Sequence, residues 1–494
     1  MKAFIKVISL FLALLMLVSA FVGCNGDKDT NEDNKNDESV ATTASQDEEP
    51  KTLLPEMNWG GVEYRILGRE YAENNFKNFE IDRDQMPEDV VGLAVWNRNA
   101  ALMQKYGLDV VGTLEEKHSD RVATVCESGD DLFDLVTCQA GRLPAMANKG
   151  FFVDISKMKY INLEHEAWND YANGQLTMGG KLFYTTNKFL LQDKHRTYLM
   201  WYNRQLAREL NVGYLEQEVF DGTWTVDRLL EIMKIGSAEV NGEEGLTYGD
   251  RWGLVLHSTL NFAAFAYGMG FRISEIGPDG YPQLVGATDR IIAVIDKSLA
   301  ITSDMDHCFT NALRPTADEN TKNPAVIFGE GRAITMGHMM SYMEHVSKLT
   351  FEYGALPNPK FDEAQENYIS LPDNSNGSLL AVPSTISDID KAGFGFEAIS
   401  EESVETSYYS YIETRCKLQD SFDEDMAKCL EIIFDSVVYD IGRTINIGNL
   451  KDAIDSSIVK EHSNIYARLY SKAERKAKNE MAAIKKAYEA LSNQ

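Results

Sequence analysis

A chain of 494 residues with a formal charge of −28 at pH 7 lacks the surplus of cations that nucleic-acid phosphates or an anionic bilayer would require. Its length exceeds one compact domain and suits two lobes with separate cores. With Cys24 set apart near the N-terminus, the other five cysteines are an odd number, which excludes a fully paired disulfide framework.

Lys2 and Lys6 precede an apolar run over 7–23, broken only by Ser9 and Ser19. This is the pattern of a secretory leader, and it is short for a membrane span of about twenty residues. Phe21-Val22-Gly23-Cys24 resembles a bacterial lipobox, which implies a signal peptide over 1–23 and a lipid-modified Cys24. Residues 24–52 then form an acidic, polar tether with almost nothing to bury, expected to be disordered.

The folded part is expected to begin near Leu53. Residues 62–67 alternate as a strand ending at Gly68; 88–106 carry a helical stripe between Pro87 and Gly107. Strands are expected at 108–111 and 132–136, with a short helix at 143–149 closed by Gly150. That alternation spells an α/β layer with parallel strands. Further strands are expected at 182–184, 197–202 and 252–256, and a helix at 204–210. Thr225 reads as a helix N-cap, with Trp224 packing on Leu229 as a hydrophobic staple. Residues 304–308 (Asp-Met-Asp-His-Cys) read as a polar loop without metal-ligand spacing; Cys416 and Cys429 could pair, and read more simply as two buried thiols. The Lys-, Glu- and Ala-rich tail at 463–492 reads as a solvated helix outside a lobe.

Six short stretches, in order, carry a resemblance. They are Leu132-Phe133-Asp134-Leu135-Val136, Gly179-Gly180-Lys181-Leu182-Phe183-Tyr184, Tyr202-Asn203-Arg204-Gln205-Leu206, Gly222-Thr223-Trp224-Thr225, the run 328–336 and the run 354–360. Together they resemble the extracellular solute-binding lipoproteins of ABC importers, in the sugar-binding branch related to maltose-binding protein. The resemblance implies a periplasmic-binding-protein-like type II fold, with two discontinuous α/β lobes and a ligand cleft between them. It implies lobe 1 at 53–190 plus 333–400 and lobe 2 at 191–332 plus 401–494, with crossings near 188–195, 332–335 and 400. It also implies a small-molecule ligand, a permease partner, no cofactor and no catalytic residue.

In open α/β sheets, ligands sit beyond the carboxyl ends of the strands. That rule selects Arg69, Glu70 and Tyr71 after the first strand, Gln139, Ala140 and Gly141 after the 132–136 strand, His257 and Ser258 after 252–256, and Gly337 and His338 after the 333–336 run. Tyr198 and Trp201 lie near the first crossing, Tyr408 and Tyr409 near the last. Plainer readings stand beside these: Arg69 and Glu70 as a rim ion pair, His338 as a satisfied strand-end histidine, Trp201 as core, and half of the tyrosines at 408–411 as packing. The rival functions are a secreted carbohydrate-active enzyme and a surface sensor or peptide-binding protein of the same fold. The first lacks any nucleophile motif; the second would be expected to show repeats or a stalk.

Overall fold

The computed structural model describes residues 52–70, 77–82, 86–310, 324–342, 349–374, 376–418 and 421–491, with backbone alone at 415–418 and 421–422. The leader, Cys24, the tether to residue 51, Tyr71 and the side chain of Cys416 lie outside this description.

Two sheets organise the chain. In the first, β1 (Val62–Arg69), β2 (Leu108–Glu115) and β3 (Leu135–Gln139) run parallel, with β1 between the other two. The second contains β4 (Tyr198–Asn203) and β5 (Trp252–Leu256). A separate hairpin, β6 (Ser274–Ile276) with β7 (Pro282–Leu284), turns around Gly280. The second sheet is completed by β8 (Cys308–Thr310), β9 (Ala333–Met339) and β10 (Tyr353–Leu356), in the order β10-β4-β9-β5-β8. Strand β11 (Ser378–Ala381) returns to the first sheet, antiparallel to β3.

This order moves one expected boundary. Residues 333–356 belong to the second sheet, and the chain rejoins the first only at 378. The reason is β9, whose seven residues are all buried and which hydrogen-bonds to β4 on one side and β5 on the other. A central strand cannot leave its sheet without stranding both neighbours' backbone groups. His338 therefore lies on the second sheet, not the first. Between the Thr185 bridge to Leu380 and the start of β4, residues 186–197 carry the chain from the first sheet to the second.

Other local differences have local causes. The strand expected from 132 starts at 135, because buried Asp134 instead turns its carboxylate to Arg65 (2.9 Å) and Lys391 (3.0 Å). Residues 182–184 make no ladder; their neighbour Thr185 bridges to Leu380. In 304–308, Asp304 accepts from backbone N–H groups of the loop and its carboxylate meets His307 Nδ1 (2.9 Å), and Cys308 opens β8. Cys429 and Cys138 are buried free thiols, Cys308 is buried, and Cys126 is free and half-buried.

Five helices matter below. Helix α1 (Val90–Tyr106) starts at Asp89, whose carboxylate accepts from Gly92 N–H, and stops at Gly107, where φ is 62°. Helix α2 (His118–Ser128) follows β2; α3 (Val226–Gly236) is capped by the Thr225 hydroxyl; α4 (Ile389–Ser403) is capped by Asp388. Helix α5 (Tyr466–Leu491) repeats Tyr466, Tyr470, Ala473, Ala477, Met481, Ile484 and Tyr488 at three- and four-residue intervals. Its first half packs into the core of the second sheet, with Tyr466 against Phe271 at 5.3 Å. Its last turns pack into the core of the first, with Tyr488 against Phe183 at 5.4 Å. The expected solvated helix is thus a strap across both cores, solvated on one face only.

Candidate ligand cleft

Strand β4 decides which aromatics can meet a ligand. Tyr198, Met200 and Tyr202 enter one core cluster and Leu199 and Trp201 another, as the two-residue alternation of a strand dictates. Trp201 is fully buried and meets Tyr353 edge-on at 6.2 Å. It is a core residue, which corrects its assignment to the ligand. Tyr198 is also buried, opposite Met339 in register.

At the carboxyl edge of the first sheet, Arg69 ends β1. Its N–H donates to Asn78 Oδ1 (2.8 Å) and its Nη1 to Asn376 O (2.9 Å). Glu70 does not pair with Arg69; it holds Lys77 at 3.0 Å. Gln139 ends β3, and its N–H donates to Ser119 Oγ (3.0 Å). His118, the first residue of α2, is buried beside them. Burial first, and then the Arg69 charge, push its imidazole down to about 4.

At the carboxyl edge of the second sheet, His257 follows β5 and His338 lies near the end of β9. Their rings are 4.0 Å apart, and Tyr342 stacks on His338 at 4.6 Å. His338 Nδ1 accepts from Met339 N–H (2.7 Å). Tyr342 Oη donates to Ala325 O (3.0 Å), and burial pushes the phenol up to about 12. Loss of hydration, then the nearby Arg196 charge, hold His257 below the ordinary histidine range.

The two edges meet through the connecting segments. Arg196 Nη2 binds Asp373 Oδ2 (2.8 Å), Asp373 Oδ1 accepts from Asn376 N–H (3.0 Å), and Asn376 O receives Arg69. A continuous polar path thus runs from Arg69 on one sheet to Arg196, beside His257 on the other. Of the expected residues, Arg69, Gln139, His257 and His338 lie on these two edges. Tyr408 is buried with the Lys188 ammonium 5.4 Å above its ring, while its neighbour Tyr409 is exposed, both in the segment that follows α4. Arg196, Asp373, His118 and Tyr342 were not foreseen. Arg196 precedes its strand, and because β4 runs antiparallel to β9, its amino end lies where the other strands have their carboxyl ends.

Several solved structures share this fold. The cyclic α-maltosyl-1,6-maltose binding protein of Arthrobacter globiformis superposes with a TM-score of 0.54 at 13% identity, over 86% of this chain and 100% of that one. Apo RafE of Streptococcus pneumoniae gives 0.53 at 13%, over 83% and 98%. The maltose/maltodextrin-binding domain MalE of Bdellovibrio bacteriovorus, bound to maltotriose, gives 0.52 at 14%, over 85% and 100%. The chain has the type II periplasmic-binding-protein fold. No protein-family model and no curated protein matches it.

The His118 environment sets a pH dependence. Above pH about 6.5 the ring is neutral in both folded and unfolded chains. As pH falls from there to about 4, the unfolded chain takes up a proton that the buried ring refuses, so stability is lost. A change from 6.5 to about 4 amounts to about 3 kcal/mol. Urea unfolding of wild type and His118→Gln should show their stability difference shifting in the variant's favour by about that amount between pH 7 and pH 4. Parallel pH profiles would show that the ring is hydrated.

Proposed function

We propose that the protein is an extracytoplasmic solute-binding lipoprotein that captures a mono- or oligosaccharide between its two sheets and delivers it to an ABC transporter permease. On this reading Cys24 carries the lipid that holds a monomeric chain to the outer face of the cell membrane, and 25–51 is the tether. The chemistry is reversible binding in which no bond is broken. Ligand touches both carboxyl edges only when they approach, and so biases an open–closed equilibrium about the connecting segments.

The observation that carries this reading is the convergence of the His257–His338–Tyr342 ring stack with the Arg69–Asn376–Asp373–Arg196 path. Flat rings cover sugar C–H faces, while fixed donors and acceptors meet hydroxyl groups. The named ligands of the structural neighbours, cyclic α-maltosyl-1,6-maltose and maltotriose, support a saccharide. Among the described residues no helix is long and apolar enough to cross a membrane, so attachment on this reading rests on Cys24.

Thermal-shift screening of the full chain against mono- and oligosaccharides, followed by calorimetry, tests the proposal, since binding raises the melting point by mass action. His338→Ala should remove about 1–3 kcal/mol of affinity, roughly 5- to 150-fold. Trp224→Phe is the control: it deletes the indole N–H bond to Pro357 O (2.9 Å) in a fully buried site. It should cost about 1 kcal/mol of stability and leave affinity unchanged. Small-angle scattering should show contraction on binding. If no saccharide shifts the melting point, or a bound one returns cleaved by mass spectrometry, the reading is wrong.

A further inference from the structure

Away from the cleft, α4 carries two carboxylates one turn apart, Glu397 and Glu401, facing His165 in the 162–168 loop. One ligand atom from each of the three lies within 4.8 Å of the other two. Glu397 is fully buried. Its Oε2 accepts from Asn162 N–H (3.0 Å) and Trp168 Nε1–H (3.1 Å), but its Oε1 has no donor. Glu401 Oε1 is likewise shielded from solvent with no partner. Among the described residues no lysine or arginine forms an ion pair with either carboxylate. Two facing carboxylates, each with an oxygen shielded from solvent and no paired cation, repel each other, and a shared proton or a bound positive ion relieves that repulsion.

We infer that His165, Glu397 and Glu401 bind one divalent transition-metal ion of the zinc class. An imidazole with two carboxylates is a mixed nitrogen–oxygen set that suits Zn²⁺ and its neighbours, whereas Mg²⁺ and Ca²⁺ favour oxygen alone. Metal–ligand lengths of about 2.0–2.2 Å require the three side chains to draw inward from their present spacing. His165 Nδ1 now accepts from Ala167 N–H (3.1 Å), so the ring proton sits on Nε2. Binding through either nitrogen gives up that one bond between residues two apart: at Nε2 the ion sends the proton to Nδ1, and at Nδ1 it displaces the amide. Any proton shared by the carboxylates leaves for solvent, so affinity falls as the pH is lowered.

The place gives the ion a structural role. Trp168 bridges to Asn187, and Asn187 Nδ2 donates to Ser400 Oγ (2.7 Å) on α4. The ion would therefore clamp the 162–168 loop to α4 where the first connection departs for the second sheet. Calorimetry of the chelator-stripped full chain with ZnCl₂ at pH 7.5 tests this. Wild type should take up one more equivalent than Glu401→Gln or His165→Ala, whose affinity at this site falls more than about 100-fold. Exposed Glu164→Gln should match wild type. X-ray absorption should show one imidazole nitrogen with oxygen ligands, and Zn²⁺ should raise the melting point of wild type but not of Glu401→Gln. Equal stoichiometry in wild type and both variants overturns the inference. So does a metal-free Glu401→Gln that melts higher than a wild type taking up no zinc, since the pair then shares a proton or a water.

Discussion

A chain ending at Asn464 should lose its cooperative unfolding transition. The deletion removes α5 and with it the buried side chains of Tyr466, Met481, Ile484 and Tyr488. At about 1.5–3 kcal/mol for each fully buried large side chain, the loss is about 6–12 kcal/mol. That is comparable with the whole stability of an ordinary folded protein, about 5–15 kcal/mol. The damage reaches both cores, because the stripe passes from Phe271 beside the second sheet to Phe183 beside the first. Tyr488→Ala alone should cost about 3–5 kcal/mol. Urea denaturation followed by tryptophan fluorescence measures both. An unchanged midpoint in the truncated chain would mean that the helix is only an appendage. Lys485→Ala should leave the midpoint in place, since its ion pair with Asp279 (2.8 Å) stands in solvent.

The second large effect is expected at Asp440. Its carboxylate is buried and collects six donors. Oδ2 accepts from Tyr267 Oη (2.8 Å) and Ile273 N–H (2.6 Å). Oδ1 accepts from Ser274 N–H (3.1 Å), Ser274 Oγ (2.7 Å), Gly442 N–H (2.9 Å) and Arg443 N–H (3.4 Å). Asp440→Ala strands three backbone N–H groups and two hydroxyls with no room for bulk water, while Gly442 N–H keeps Ser274 Oγ (2.8 Å). A buried unsatisfied group costs about 1–3 kcal/mol, and partial rescue by a trapped water brings the expected loss to about 3–5 kcal/mol. Asp440→Asn keeps the shape but turns one acceptor into a donor facing N–H groups, at about 2 kcal/mol. Equal melting points for wild type and both variants would mean that these donors are satisfied elsewhere. Because Asp440 joins the β6 end of the hairpin to the 440–443 turn, its loss should also loosen the seat of α5.

What the sequence determined by itself was whatever depends on neighbours a few residues away. The alternation in 62–67, the short run at 252–256, the Thr225 cap and the stop at Gly107 are local, and each element stands within about two residues of where those signals put it. The rule that ligands lie beyond carboxyl ends needs only strand ends, and Arg69, Gln139, His257 and His338 do stand at the carboxyl edges of the two sheets. The seven-residue stripe of α5 was also legible; the high charge of the tail obscured that its buried face meets two cores in turn.

Tertiary structure alone decided the rest. Whether β9 serves the first sheet or the second depends on β4 and β5, which begin 135 and 81 residues upstream of Ala333, at Tyr198 and Trp252. Strand direction placed Arg196 at the cleft, since an antiparallel strand contributes its amino end, and no local pattern reveals which way a neighbour runs. Trp201 and Tyr198 look equally fit to stack on a ligand, yet both are sealed in cores on opposite faces of one sheet. Burial is a property of what lies above a residue, and in this fold that is supplied by distant segments. Asp373 and Asn376 sit in a stretch with no periodicity at all, and gain their meaning only by joining Arg196 to Arg69 across the gap between two sheets.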